Sequence, residues 1–220
     1  MATSKRTRNS APKSSSFEDY LVSYGVLAPN NTSKAADILL SVQPSLTDIA
    51  YKTASSYVDT LWKKIQTHKK FNPSLGGSIF ELVIACVLIQ EDILPFYWQA
   101  EVEFVPLAIF DLVVYTKEVG PVVLSLKTSL RERYKQEEFE AQALKNVHKH
   151  AKTFLVTMDG DDASKVNEKI KKGIISGVDK AIVANRIEFN RVIDDIKKLT
   201  MIVAPKVSVI SDGKRIDRQN

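Results

Sequence analysis

Phe110-Asp111-Leu112-Val113-Val114-Tyr115-Thr116, then Lys117-Glu118-Val119-Gly120-Pro121, then Val122-Val123-Leu124-Ser125-Leu126-Lys127: two apolar runs joined by a turn decide how this chain folds. Both runs are rich in valine, and the link carries Gly-Pro, so the stretch predicts a β-hairpin. Each run carries one charged residue, Asp111 on the first and Lys127 on the second. A turn centred on Val119 sets the two opposite each other, and opposed residues project from the same sheet face. Ser125 shares that face by the two-residue period. A slip of one residue would send the acid and the lysine to opposite faces.

Around the hairpin the chain divides in two. From Phe17 to about Gln90 the pattern is helical. Phe17, Tyr20, Leu21 and Tyr24 have helical spacing up to Gly25, and a short helix follows Asn31-Thr32-Ser33. Another helix begins after the capping-type sequence Ser45–Asp48 and carries Leu46, Ile49, Ala50, Ala54, Tyr57, Leu61 and Ile65 on one face. Pro73-Ser74-Leu75-Gly76-Gly77 then breaks the chain before a very apolar helix, Ile79–Ile89, expected in the core.

After Pro95 strands and helices alternate. Strands are expected at 100–105, 110–116, 122–127, 153–158 and 180–184, with an edge strand at 202–210. Helices are expected at 131–151, 163–172 and 188–199. The simplest architecture is α/β: a central mixed β-sheet flanked by helices, with a helical N-terminal region.

Composition narrows the functional classes. The chain has 220 residues, 44% of them apolar, with two Trp and nine Phe, enough for a core and against global disorder. The longest apolar run, Leu82–Ile89, is too short to cross a bilayer, and no apolar signal segment opens the chain, so a cytoplasmic protein with no membrane partner is expected. Cys86 is the single cysteine, which excludes a disulfide framework and a cysteine zinc site; its apolar neighbours make it a buried structural thiol. Net charge is +5, unevenly placed. Residues 1–16 hold Lys5, Arg6, Arg8 and Lys13 without an acid and read as a disordered basic arm. Lys63, Lys64, Lys69 and Lys70 form a second cluster, and Lys214, Arg215 and Arg218 a third. Each cluster suits a polyanion or a solvated surface equally well.

The hairpin pair has a chemistry. A carboxylate that holds Mg²⁺, with an ammonium beside it, is what phosphodiester hydrolysis needs: the metal polarises the phosphate and activates water, and the lysine orients or deprotonates that water. The competing reading is a cross-strand ion pair at a sheet edge. A metal site needs further oxygens, and Glu137 and Glu140 both fall on the helix face of Leu130, Tyr134, Ala141 and Leu144. An acid in an inward stripe requires a partner. Helical projection does not choose between the two.

Asp111, Ser125-Leu126-Lys127 and the run Lys127-Thr128-Ser129-Leu130-Arg131-Glu132-Arg133-Tyr134-Lys135-Gln136 resemble Type II restriction endonucleases of the PD-(D/E)XK nuclease superfamily. The group reading CC and GG half-elements is the most similar. The resemblance covers roughly residues 79–160 and is specific from Phe110 to Glu140. It implies a restriction-endonuclease-like fold, with residues 17–220 as one nuclease domain: 17–72 its helical N-terminal part and 73–212 its catalytic core. In that group the second acid before the lysine is often a serine, and a Glu on the following helix supplies the lost carboxylate. Ser125 fits the replacement, and Glu140, thirteen residues past Lys127, fits the relocated acid. Phe110 departs from the family's proline, without chemical consequence.

The resemblance further implies a Mg²⁺-dependent, site-specific double-strand endonuclease acting as a homodimer on a short palindromic G/C-containing site. A cognate DNA methyltransferase would be its functional partner in a prokaryotic restriction-modification system. Asp111 and Glu140 would bind the metal, Lys127 would position water, and Glu81 would assist. Arg131-Glu132-Arg133 matches the group's element for reading C·G pairs, since arginine pairs with guanine O6 and N7 and a carboxylate accepts from cytosine N4. Thr128, Ser129 and Lys135 flank it on the DNA side. Against these stand a salt-bridged Arg-Glu-Arg surface and, for Glu81, an acid stabilised by its helix N-terminus. His68, His148 and His150 read as surface residues, and Asp159 as a turn former before Gly160. A protein that keeps the fold and binds DNA without cutting, and a structure-specific or repair nuclease, are the alternatives.

Overall fold

The hairpin is the centre of the sheet. In the computed structural model, which describes residues 16–30, 33–105, 108–130, 134–205 and 210–218, strand β2 (Ile109–Thr116) pairs antiparallel with β3 (Gly120–Lys127). Leu112 faces Leu124, Val114 faces Val122 and Thr116 faces Gly120. The turn is therefore centred on Glu118, and the expected register, centred on Val119, is displaced by two residues. Thr116 accounts for the tighter turn: its hydroxyl donates to the Gly120 carbonyl at 2.9 Å and accepts from the Val119 amide at 3.4 Å. Gly120 takes φ 75°, a left-handed conformation open to glycine without a steric penalty. Because the displacement is even, every side chain keeps its face. Continuing the ladder sets Asp111 across from Ser125, with Lys127 one pleat further along the same face.

Four more strands complete the sheet: β1 (Phe96–Val102), β4 (Lys152–Thr157), β5 (Lys180–Val183) and β6 (Ile210–Ile216). The order is β5-β4-β3-β2-β1-β6. Strands β3, β4 and β5 are parallel, and β3, β2, β1 and β6 alternate in direction, so the sheet is mixed. Parallel neighbours need crossovers, supplied by α5 (Tyr134–Val147) and α6 (Gly160–Lys171). The edge strand expected at 202–210 lies instead at Ile210–Ile216. Pro205 cannot donate to a ladder, and the chain before it crosses the end of β2, where Met201 bridges Thr116 and the Ile202 amide donates to Tyr115.

The N-terminal part is helical as expected: α1 (Phe17–Ser23), α2 (Lys34–Val42), α3 (Ala54–Gln66) and α4 (Gly76–Gln90). Helix α3 starts later than its apolar spacing suggests. Thr53 and Ser56 form a reciprocal capping box at its entry, while Asp48 accepts from the Ser45 amide at 2.6 Å and closes a local turn instead. The last helix is α7 (Ile187–Lys197). Pro73–Gln90 is long and apolar enough to cross a membrane by length and composition, but 61% of it is buried inside the fold, as in a core helix.

The two sheet faces have different covers. Leu112, Val114, Val122, Leu124 and Leu126 join α4, α3 and α7 in the main core. Val113 and Val123 form a second core with Tyr97, Ala100 and Leu144 of α5. Asp111, Ser125 and Lys127 belong to this second face by parity. The site therefore faces α5.

Candidate active site

Apolar neighbours leave Asp111 and Ser125 each only 8% exposed. A carboxylate at such a position needs donors. Asp111 Oδ2 accepts from the Leu126 amide at 2.6 Å and from Lys127 Nζ at 2.8 Å. The same ammonium lies 3.1 Å from Glu137 Oε1 on α5. Burial pulls the Lys127 ammonium down, but the charges of Asp111 and Glu137 outweigh it and hold its pKa above the usual lysine range. Lys127 is thus a cation throughout the neutral range.

Helix α5 buries four residues on its inner stripe: Glu137, Glu140, Ala141 and Leu144. Glu140 accepts from Gln136 Nε2 at 2.7 Å. Its burial, with the Glu137 and Asp111 charges adding, raises its pKa against the lowering effects of Gln136 and Lys127. The helix is pinned where these acids lie. Glu138 turns the other way and its two oxygens take amides from Ser176, Gly177 and Val178 at 2.7–3.0 Å. Gly177 permits this approach, since a Cβ there would lie 2.7 Å from the Glu138 carbonyl oxygen and 2.6 Å from the Gln142 nitrogen.

A fourth acid arrives from the opposite side. Glu81 sits in the second turn of α4, and its Oε2 accepts from Trp98 Nε1 and from Gln99 Nε2, both at 2.9 Å. Gln99 Nε2 also reaches Asp111 Oδ1 at 3.3 Å. Burial, then the Asp111 charge, raises the Glu81 pKa. Glu81 is therefore oriented by side chains of β1 toward Asp111 rather than simply capping its own helix.

The structure thus brings together Asp111, Ser125, Lys127, Glu81 and both candidate acids of α5. Thr128 follows Lys127 at the rim of a groove of about 530 Å³, also lined by Trp62, Phe71, Met158 and Arg186. Ser129 is half-buried beside it. The segment is tied down from behind: Thr157 Oγ1 donates to the Thr128 carbonyl at 3.3 Å, and the Leu130 amide donates to Asp162 at 3.1 Å. Lys135 is exposed on the first turn of α5. Arg131, Glu132 and Arg133, and the arm apart from Ser16, lie outside the described residues.

Other expectations sort by contact. Asp159 caps α6, accepting from the Asp162 amide at 3.0 Å. Cys86 is fully buried, and burial pushes its thiol up to about 12, which suits a structural residue. His148 and His150 lie at the surface end of α5, and His68 contacts Ser41. Lys214 donates to the Val26 carbonyl, Arg215 pairs with Asp217 and Arg218 with Asp92, so the C-terminal cations are tied into the fold. Lys63, Lys64, Lys69 and Lys70 are exposed, with Lys63 paired to Asp59. Gln99, Trp98 and Gln136 are contributors that sequence reasoning missed. Gln136 stands four residues before Glu140, a helical spacing that was readable; nothing local marks the other two.

Among the described residues no group of three or more His, Cys, Asp or Glu side chains is drawn together around a metal position. The donor set nevertheless suits a hard divalent cation: the buried acids offer carboxylate oxygens, and the Lys127 ammonium bridges two of them as a cation would.

A mixed sheet with a hairpin carrying an acid and a lysine, and helices on both faces, defines a restriction-endonuclease-like fold. Residues 101–204 match the model of the family described as BsaWI restriction endonuclease type 2. That span holds β2, β3 and α5, and with them every site residue above except Glu81, Trp98 and Gln99. The solved complex of restriction endonuclease PspGI with substrate DNA superposes with a TM-score of 0.50 at 14% identity, covering 77% of this chain and 93% of that one. No curated protein matches. The superposition carries the fold, and the family match supports a type II site-specific deoxyribonuclease.

Proposed function

We propose that this protein is a Mg²⁺-dependent endonuclease that cuts double-stranded DNA at a short palindromic G/C-containing site, as the restriction half of a restriction-modification system. The observation that carries the reading is one ammonium, Lys127 Nζ, 2.8 Å from Asp111 and 3.1 Å from Glu137, with Glu140 and Glu81 in the same charged cluster.

Asp111 and Glu140 are the residues that would hold Mg²⁺. Glu137 is engaged by Lys127, whereas buried Glu140 accepts, among the described residues, from the Gln136 amide, so Glu140 is the acid assigned to the cation. When bound, the metal supplies Lewis-acid polarisation of the scissile phosphate and an acidified water. Lys127, kept protonated by two carboxylates, acts as a donor that orients the attacking water or a phosphate oxygen rather than as a base. Glu81, aimed by Trp98 and Gln99, accepts a hydrogen bond from the same water. Ser125 stands where a further acid is common and leaves the metal oxygens to Glu140.

Recognition is assigned to Arg131, Glu132 and Arg133, which follow Lys127 directly and have the chemistry to read G and C edges in the major groove. Thr128, Ser129 and Lys135 add phosphate contacts, as does the basic arm, without specifying sequence. A palindrome is cut on both strands by two copies of one site, so a homodimer is the working form. A DNA methyltransferase of the same specificity would protect the host.

Incubation with mixed-sequence plasmid and Mg²⁺ tests this. Discrete fragments are expected from the wild type, and retarded but intact DNA from Lys127→Ala. Cleavage by Lys127→Ala at the wild-type rate refutes the assignment. Retarded, uncut plasmid with the wild type points to a non-cutting DNA-binding protein. Cutting confined to branched DNA points to a structure-specific nuclease.

A further inference from the structure

Gln99 lies in the middle of β1 with φ 48°, a left-handed conformation that a residue with a Cβ rarely adopts. Its neighbours stay in regular register with β2: Trp98 faces Leu112 and Ala100 faces Phe110, which sets Gln99 across from Asp111. On the other side the pairing with β6 is interrupted between Trp98 and Glu101. Gly213 of β6 sits against this irregularity with φ 133°, and a Cβ there would come within 2.9 Å of the Ala100 Cα and 3.2 Å of the Trp98 carbonyl oxygen. The distortion is therefore accommodated by the adjoining strand. Sheets keep such irregularities where a side chain has to be re-aimed.

The distortion has a visible consequence. Trp98 and Gln99 are consecutive strand residues, which normally point to opposite faces. Here both donate to one oxygen, Glu81 Oε2, at 2.9 Å, and Gln99 Nε2 extends to Asp111 Oδ1 at 3.3 Å. One amide nitrogen thus joins an acid on α4 to an acid on β2. The choice of an amide also matters. Two carboxylates held side by side repel each other; a lysine or arginine there would join them but cancel the charge that attracts a cation. A neutral amide donates to both and leaves the negative charge in place.

We propose that Gln99 is a positioning residue of the nuclease site: its carboxamide fixes Glu81 beside Asp111 and leaves the oxygens of both acids available to a divalent cation. The inference rests on the endonuclease reading above, and names a residue outside the hairpin-and-helix motif on which that reading stands. The left-handed backbone is what allows the carboxamide to reach both acids.

The test compares Gln99→Gly with Gln99→Ala. Both lose the amide, but only glycine also relieves the backbone. The glycine variant should melt about 2 °C or more above the alanine variant. Both should bind DNA in EDTA as the wild type does. Both should also need about tenfold more Mg²⁺ for half-maximal cleavage, as expected when a group that orients metal ligands is lost. Mg²⁺ affinity measured by calorimetry, which needs no turnover, should fall by the same factor. Gln99→Asn retains an amide and tolerates the backbone but is one methylene too short, and should behave like alanine in Mg²⁺ binding while melting like the wild type. If Gln99→Gly folds at least as stably as Gln99→Ala and keeps wild-type Mg²⁺ affinity and cleavage, the assignment of Gln99 is overturned and the endonuclease reading stands. If the wild type cuts no DNA, the endonuclease reading falls, and calorimetry still decides whether Gln99 orients the acids.

Discussion

Replacing Lys127 with methionine keeps most of the side chain's volume and removes its charge, leaving Asp111, Glu137, Glu140 and Glu81 without their ammonium. Removing one partner of a buried ion pair typically costs about 3–5 kcal/mol. The Lys127 side chain is 21% exposed, against 11% for Asp111 and 7% for Glu137, so solvent screens part of the effect and about 2–3 kcal/mol is expected. For a domain of this size that lowers Tm by about 4–12 °C.

The pH dependence has a definite sign. In the wild type Lys127's folded pKa is raised, so its stabilisation is complete below the ordinary lysine value of 10.5 and lost as pH rises through the folded value. In the variant, Glu140 and Glu81, already raised by burial, lose the lowering influence of Lys127. A raised acid contributes stability that is full below its unfolded pKa and is lost as pH climbs through the folded one. The deficit of Lys127→Met should therefore be largest near pH 8 and shrink toward pH 5, and Mg²⁺ should restore part of it at pH 8. Calorimetric melting in EDTA and in Mg²⁺ at both pH values measures this. Equal Tm for variant and wild type at both pH values would show that the four acids do not depend on a cation, and the reasoning about the site would fail.

Two further predictions separate roles on α5. Glu140→Gln should weaken Mg²⁺ binding and abolish detectable cutting, whereas Glu137→Gln, which loosens Lys127, should cut about 10–100-fold more slowly with nearly unchanged Mg²⁺ affinity; the reverse pattern in a Mg²⁺ titration would exchange their roles. Glu138→Ala strands the amides of Ser176, Gly177 and Val178 and should lower stability by about 2 kcal/mol in urea unfolding; an unchanged unfolding midpoint would mean that this clamp does not hold α5 in place.

The hairpin was readable because its two signals are local. Valine-rich alternation and the turn residues define strands without outside help, and an even register displacement leaves every side chain on its face, so Asp111, Ser125 and Lys127 came out together despite the misplaced turn centre. The apolar stripe of α5 likewise showed that Glu137 and Glu140 point inward. Helix α3 was extended too far because Leu46, Ile49 and Ala50 share its spacing, while Thr53 and Ser56 decide its start. The edge strand was misplaced because alternation was followed into Pro205, which cannot donate to a ladder.

By itself, the sequence determined which residues carry charge into the interior and on which element each rides, since helix and strand periods are properties of the local backbone. Only the tertiary structure decided who touches whom. Glu137 rather than Glu140 meets Lys127 because Glu138 docks α5 on the loop before β5. Glu81 meets Asp111 through Gln99 because β1 bends beside Gly213. Both pairings join residues far apart in the chain, and contacts across elements depend on how helices and strands dock, which no local periodicity encodes.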